Sequence, residues 1–188
     1  MEPTVVVLNE WTTKIHQHNV DVGWWDNNPS LLEKIMLIIT EIAEATEGVR
    51  KDLMDDHLIH RKMEEVELAD ALIRTLDLGG RMELQLHGEA HKDIIFDDEL
   101  IYSNAAERHL SLCTTVTGLA DRVRYYNDGG DRHTLDFQYS YLVVQHHRSR
   151  PTPGSRHRWL RWLEKFEYNK RRADHKRENR ALENGKKF

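Results

Sequence analysis

Apolar residues at Val5, Leu8, Trp11 and Ile15 form a stripe of 3.6-residue period, which predicts a first helix over residues 5–20 that stops near Gly23. Ser30-Leu31-Leu32-Glu33 matches a capping box, in which a Ser hydroxyl and a Glu carboxylate satisfy free N–H groups at a helix start. A second helix is therefore expected over residues 31–50. Asp55 or Asp56 is placed to cap a third helix through Leu58, Met63, Val66, Ala69 and Ile73 to Leu76, ending at Gly79-Gly80. Residues 81–103 are mixed, with an acidic patch at Asp97-Asp98-Glu99, and read as a connection with some helix. Ser103 or Asn104 can cap a helix reaching Tyr126, which Asn127-Asp128-Gly129-Gly130 stops. Residues 134–147 suit either helix or strand, and their helical neighbourhood decides for helix. Pro151-Thr152-Pro153-Gly154 is a break. Trp159, Leu160, Trp162, Leu163 and Phe166 make the apolar side of a last long helix, and the chain after Arg172 is polar and expected to be extended. No run of alternating strands occurs, so the fold class is all-α.

A chain of 188 residues is long enough to bury a real core as one domain, with residues 81–155 as a helical insertion and 173–188 as a basic tail. The lone Cys113 excludes an internal disulfide, and with it any sign of an oxidising compartment. The acidic start lacks the basic region of a leader, and the run Ile35-Met36-Leu37-Ile38-Ile39 is too short to cross a bilayer. A cytoplasmic protein with no membrane partner is expected. The net charge of −5 hides an asymmetry: the segment from Arg148 onward holds 14 of the 27 Lys and Arg against five acids, a net of +9 that leaves −14 for the rest. Such a tail could meet nucleic acid, phosphates or the acidic body of a neighbouring subunit. Because its basic residues alternate with Glu and Asp and no nucleic-acid-reading motif is present, nucleic acid is not the expected partner.

Two carboxylate pairs carry the candidate chemistry. Glu41-Ile42-Ala43-Glu44 and Glu67-Leu68-Ala69-Asp70 each place two acids three residues apart, which on a helix project from one side about 60° apart. One such pair is common on a solvated face, but these sit in apolar surroundings, and Asp70 lies between Ala69 and Ala71 although Asp is a weak helix former. Asp77 returns to nearly the same face. Carboxylates gathered in a semi-buried cleft repel one another and hold their protons more tightly unless a cation neutralises them. The absence of His from the pairs argues against a di-iron bundle and the absence of Cys against structural zinc, leaving Mg²⁺, with Mn²⁺ as a substitute. The twelve His residues are scattered; His146-His147 and His16-x-His18 lack zinc spacing and are expected at the surface or in hydrogen bonds.

Glu41-x-x-Glu44, a spacer, then Glu67-x-x-Asp70 resembles the signature of the MazG-type all-α nucleoside triphosphate pyrophosphohydrolase family. Three flanking features are similar as well. His16-Gln17-His18-Asn19 followed by Gly23-Trp24-Trp25-Asp26 resembles the entry to the fold in phage and bacterial members, and residues 67–78 resemble the family's third helix. Lys165-x-x-x-Asn169-x-x-Arg172 and the terminal Gly185-Lys186-Lys187-Phe188 resemble its C-terminal phosphate-contacting element. The likeness covers residues 5–80 and 156–188; about 75 residues separate the two parts where compact relatives have few.

The resemblance implies a four-helix core, subunits packed as a helical bundle, and a homodimer or dimer-based tetramer. It also implies cleavage of a nucleoside triphosphate to a monophosphate and pyrophosphate, which would cleanse or rebalance nucleotide pools. Glu41, Glu44, Glu67 and Asp70 would hold Mg²⁺, and Glu41 or Glu44 would orient the attacking water as general base. Lys165, Asn169 and Arg172 would bind phosphate. His16, Asn19, Trp24 and Trp25 would meet base and sugar, although a Trp near a helix junction is more often a packing residue. Two rival readings stand beside this: a helical protein that binds nucleotide or nucleic acid without turnover, and a phosphoribosyl-ATP pyrophosphohydrolase.

Overall fold

The computed structural model describes residues 5–86, 104–148 and 158–180. They form α1 (Val5–Asp21), α2 (Leu31–Arg50), α3 (Met63–Arg81), α4 (Ala105–Asn127), α5 (Arg132–Arg148), α6 (Arg158–Asn169), a 3₁₀ turn (Ala173–His175) and the short α7 (Arg177–Arg180). The described residues contain no strand, only an isolated bridge between Met54 and Lys62, so the all-α expectation holds. Among them no helix is long and apolar enough to cross a membrane.

α3 is the central helix. It packs against α1, α2, α5 and α6, so it is covered on nearly every side and buries Val66, Leu68, Ala71, Leu72, Ile73, Leu76 and Leu78. The same enclosure buries Glu67 and Asp77, which is how polar groups of one helix come to lie inside the molecule. α4 and α5 pack on each other and on α2 and α3 respectively. Their Leu112, Val116, Leu119, Leu135, Tyr139 and Leu142 belong to the same apolar core as α1–α3. Each such side chain contributes about 1.5–3 kcal/mol on burial.

α2 begins where its capping box places it: Ser30 Oγ accepts from the Glu33 N–H at 3.1 Å, and Glu33 Oε2 accepts from the Ser30 N–H at 2.6 Å. Asn104 caps α4 in the same way, accepting from the Glu107 N–H. The start of the third helix differs from expectation. Asp55 does satisfy free N–H groups, those of His57 and Leu58, but it does so in a turn of the loop 51–62 that the Met54–Lys62 bridge closes. The helix starts only at Met63. Its end falls at Arg81, one residue past the expected Gly79-Gly80. A Cβ at Gly79 would collide with the Tyr139 ring and one at Gly80 with His16, so the glycines serve close approach of α5 and α1.

The segment after Arg172 is folded rather than extended as far as Arg180. The Arg177 guanidinium grips the Asp26 carboxylate with both ends of its fork, and His175 packs edge-on against Trp24 with ring centroids 5.2 Å apart. Residues 87–103, 149–157 and 181–188 lie outside the described residues, and with them the acidic patch at Asp97-Asp98-Glu99, the Pro151–Gly154 break and the terminal Gly185–Phe188 element. His146 departs from its expected surface place. It is buried, neither ring nitrogen has a hydrogen-bond partner among the described residues, and burial alone pushes its pKa down to about 3.

Candidate metal and phosphate site

α2 and α3 pack along their lengths, which brings the two carboxylate helices face to face. Oxygens of Glu41, Glu67 and Asp70 lie within 4.8 Å of one another. Glu41 and Glu67 are buried and Asp70 half-buried, and all three open onto a cavity of about 620 Å³. Glu44, the fourth expected ligand, lines the same cavity but sits on the exposed side of α2, outside the cluster of three.

The electrostatics of this cluster follow from its geometry. Burial, the neighbouring Asp70 and Glu41 together push the Glu67 pKa up to about 9. Burial likewise raises Asp70, against the opposing pull of the Lys165 ammonium. Lys165 Nζ stands 3.2 Å from Asp70 Oδ2, with its side chain only 2% exposed. Asn169 Nδ2 donates to Asp70 Oδ1 at 2.8 Å, while its Oδ1 is buried and has no hydrogen-bond partner among the described residues. Arg74 Nε donates to Glu41 Oε1 at 2.6 Å. Two cations thus face three carboxylates, and burial first, then the neighbouring carboxylates, favour the protonated form of Glu67.

α6 delivers Lys165 and Asn169 through its own packing. Trp162, Lys165, Phe166 and Asn169 recur at helical spacing on one face, so the aromatic pair that buries the helix also carries the polar pair inward. Trp11 of α1 anchors that face, edge-on to Trp162 at 5.1 Å and to Phe166 at 5.9 Å. A second clamp holds α6 to the loop: Arg61 Nη2 and His60 Nε2 reach opposite oxygens of Glu164 at 2.7 and 2.8 Å.

Arg172 also lines the cavity, but its fork is engaged by Asp174 two residues on, at 3.0 and 2.8 Å. Asn19 and Trp24 line the cavity as well, with Trp24 only 8% exposed. His16 and Trp25 are not on its wall. They stand behind it and both bind Asp77 Oδ1, His16 through Nδ1 at 2.8 Å and Trp25 by donation from Nε1 at 3.1 Å. Three cavity features escaped the sequence reading. Arg74 lies four residues after Asp70 and Lys34 seven before Glu41, so helical spacing alone would have placed both beside the carboxylates. The loop residues Leu53, Met54 and His57 carried no such signal.

The donor set fits a hard divalent cation. Three carboxylate oxygens converge without a His or Cys ligand, which suits Mg²⁺ or Mn²⁺, and burial, with Asp70 and Glu41 adding to it, raises the Glu67 pKa, a cost that such an ion would relieve. No protein-family model, curated protein or solved structure matches this chain.

Proposed function

We propose that this protein is a Mg²⁺-dependent nucleoside triphosphate pyrophosphohydrolase that releases a nucleoside monophosphate and pyrophosphate. The observation that carries the reading is the convergence on Asp70 of two separate parts of the chain, the carboxylates of α2 and α3 and the Lys165–Asn169 pair of α6, at the wall of one nucleotide-sized cavity. Carboxylates alone would hold a cation; the added ammonium and amide suit a ligand that is itself a polyanion.

Glu41, Glu67 and Asp70 would hold the ion, which when bound neutralises phosphate charge and makes an attacking water more acidic. Glu44, one turn beyond Glu41 on the cavity wall, is placed to orient that water and take its proton. Lys165 can turn from Asp70 towards a phosphate, and Arg172 can exchange the Asp174 carboxylate for one. Trp24, buried on the cavity wall, would offer an apolar surface to base or sugar. Exposed Leu32 and Met36 on α2, with Leu53 and Met54 at the cavity rim, support a homodimer or dimer-based tetramer. A cytoplasmic setting accords with the single half-buried Cys113.

One observation favours a second reading, nucleotide binding without turnover: Arg74 and Lys165 already pair with two of the three carboxylates. Incubation with each triphosphate and Mg²⁺, with pyrophosphate and monophosphate quantified, separates the two. Binding without either product would favour the second reading.

A further inference from the structure

Asp77 is a buried carboxylate on the cavity wall to which the proposed hydrolysis assigns no role. It follows Asp70 by seven residues of α3, so it lies on nearly the same side of the helix, two turns or about 10 Å along the axis. That separation takes a nucleotide from its phosphates past its sugar to its base.

The side chain is fixed from behind. His16 and Trp25 both engage Oδ1, and their rings pack edge-on with centroids 5.4 Å apart. An indole N–H can only donate, so Asp77 meets Trp25 as an acceptor. Among the described residues Oδ2 carries no hydrogen bond, and it is the oxygen left for a molecule in the cavity. Asn19 lines the same cavity, and its side-chain amide likewise has no hydrogen-bond partner among the described residues. It can offer both a donor and an acceptor.

We infer that Asp77, with Asn19 on the wall of the same cavity, reads the base and selects one that presents an amino group next to a ring-nitrogen acceptor, the edge shared by cytosine and adenine. The carboxylate accepts from the amino group, as Asp and Glu do from cytosine N4 in nucleic-acid grooves, while the amide of Asn19 donates to the ring nitrogen. A carbonyl in the amino position would set oxygen against oxygen in a desolvated site, leaving two acceptors without a proton between them. Uracil and thymine are thereby disfavoured, as is hypoxanthine. The inference rests on the proposed nucleotide site but not on turnover.

The test titrates the whole protein, with Mg²⁺, against non-hydrolysable α,β-imido triphosphates in two pairs: deoxycytidine against deoxyuridine, and deoxyadenosine against deoxyinosine. Imidodiphosphate, which has no base, serves as the reference ligand. The amino member of at least one pair should bind on the order of tenfold tighter or more, and the pair that shows it identifies pyrimidine or purine. Asp77→Asn, whose amide can turn a donor to the cavity, should reduce that preference to threefold or less, and Trp25→Phe should weaken it by freeing the carboxylate to turn. Equal or reversed affinities in both pairs would overturn the inference, as would a preference that survives Asp77→Asn. If that variant does not fold, the wild-type pairs decide the matter alone. Binding with the expected preference but no cleavage of the parent triphosphates would refute the hydrolase and leave the base reader standing. Equal cleavage of all four parents would refute only the base reader, and failure to bind any nucleotide would refute both.

Discussion

One turn of α3 separates two buried glutamates with opposite circumstances. Glu64 is held in a closed network: Arg108 Nη2 and His109 Nε2 stand 3.0 and 3.1 Å from its Oε1, and Thr46 Oγ1 stands 2.9 Å from the other His109 nitrogen. One carboxylate there meets one guanidinium, and it is absent from the cavity wall. Glu67, by contrast, shares its space with two further carboxylates and opens onto a cavity of about 620 Å³. The same residue type on the same helix is thus a structural tie in one place and a site in the other. What separates them is the balance of charge and access from outside, neither of which is a property of the glutamate itself.

The largest effect that would break this contrast concerns the closed side. Glu64→Ala leaves the buried His109 and the half-buried Arg108 without their partner, and should cost about 3 kcal/mol in urea unfolding. Glu67→Gln should cost little at neutral pH, since that group already keeps its proton. Equal losses at the two positions would remove the distinction.

Two titrations sharpen it. Glu67 has a folded pKa raised to about 9, so its stabilising contribution is full below its ordinary value near 4.5 and is lost as pH rises towards 9. The metal-free protein should lose several kcal/mol across that window, Glu67→Gln should flatten the loss, and Mg²⁺ should offset it by favouring the ionised site. His146 works in the other direction. Its pKa is lowered to about 3, so stability present above its ordinary value of 6.5 is lost as pH falls towards 3, again by a few kcal/mol. His146→Leu should remove that acid dependence. Unfolding curves measured from pH 4 to 9 on wild type and both variants resolve the two arms.

A smaller effect concerns the phosphate arm. Asp174→Asn frees the Arg172 fork from its neighbour and should lower KM for triphosphate a few-fold, with kcat little changed. A raised KM would mean that Asp174 positions Arg172 rather than competing with phosphate for it.

How far the chain could be read depended on whether the cause was local. α2 was legible to the residue because a capping box and an apolar stripe are properties of a short window. The loop 51–62 was not, since Asp55 caps a turn there and the turn is closed by pairing that no window of sequence displays. Gly79-Gly80 marks the end of α3 to within one residue, but the close approach it permits is to Tyr139 and His16, far away in the chain. Within the site, the spacing of the carboxylates was visible and brings Glu41, Glu67 and Asp70 together, while Glu44, exposed on the cavity wall, stands outside that cluster. No local spacing marks Lys165 and Asn169, which only the family resemblance singles out. Their burial depends on Trp11 meeting Trp162 and Phe166, a contact between the two ends of the chain. The role of His16 and Trp25 shifted for the same reason, because Asp77 stands between them and the cavity.

The most direct measurement of the central claim follows products from a panel of nucleoside triphosphates with Mg²⁺, for wild type and Asp70→Asn at matched folded fractions. Wild type should release monophosphate and pyrophosphate in equal amounts, and the variant should be slower by on the order of 10²–10³-fold, the scale of losing one preorganised contact to a developing transition state. Orthophosphate in place of pyrophosphate, or full activity in Asp70→Asn, would contradict it.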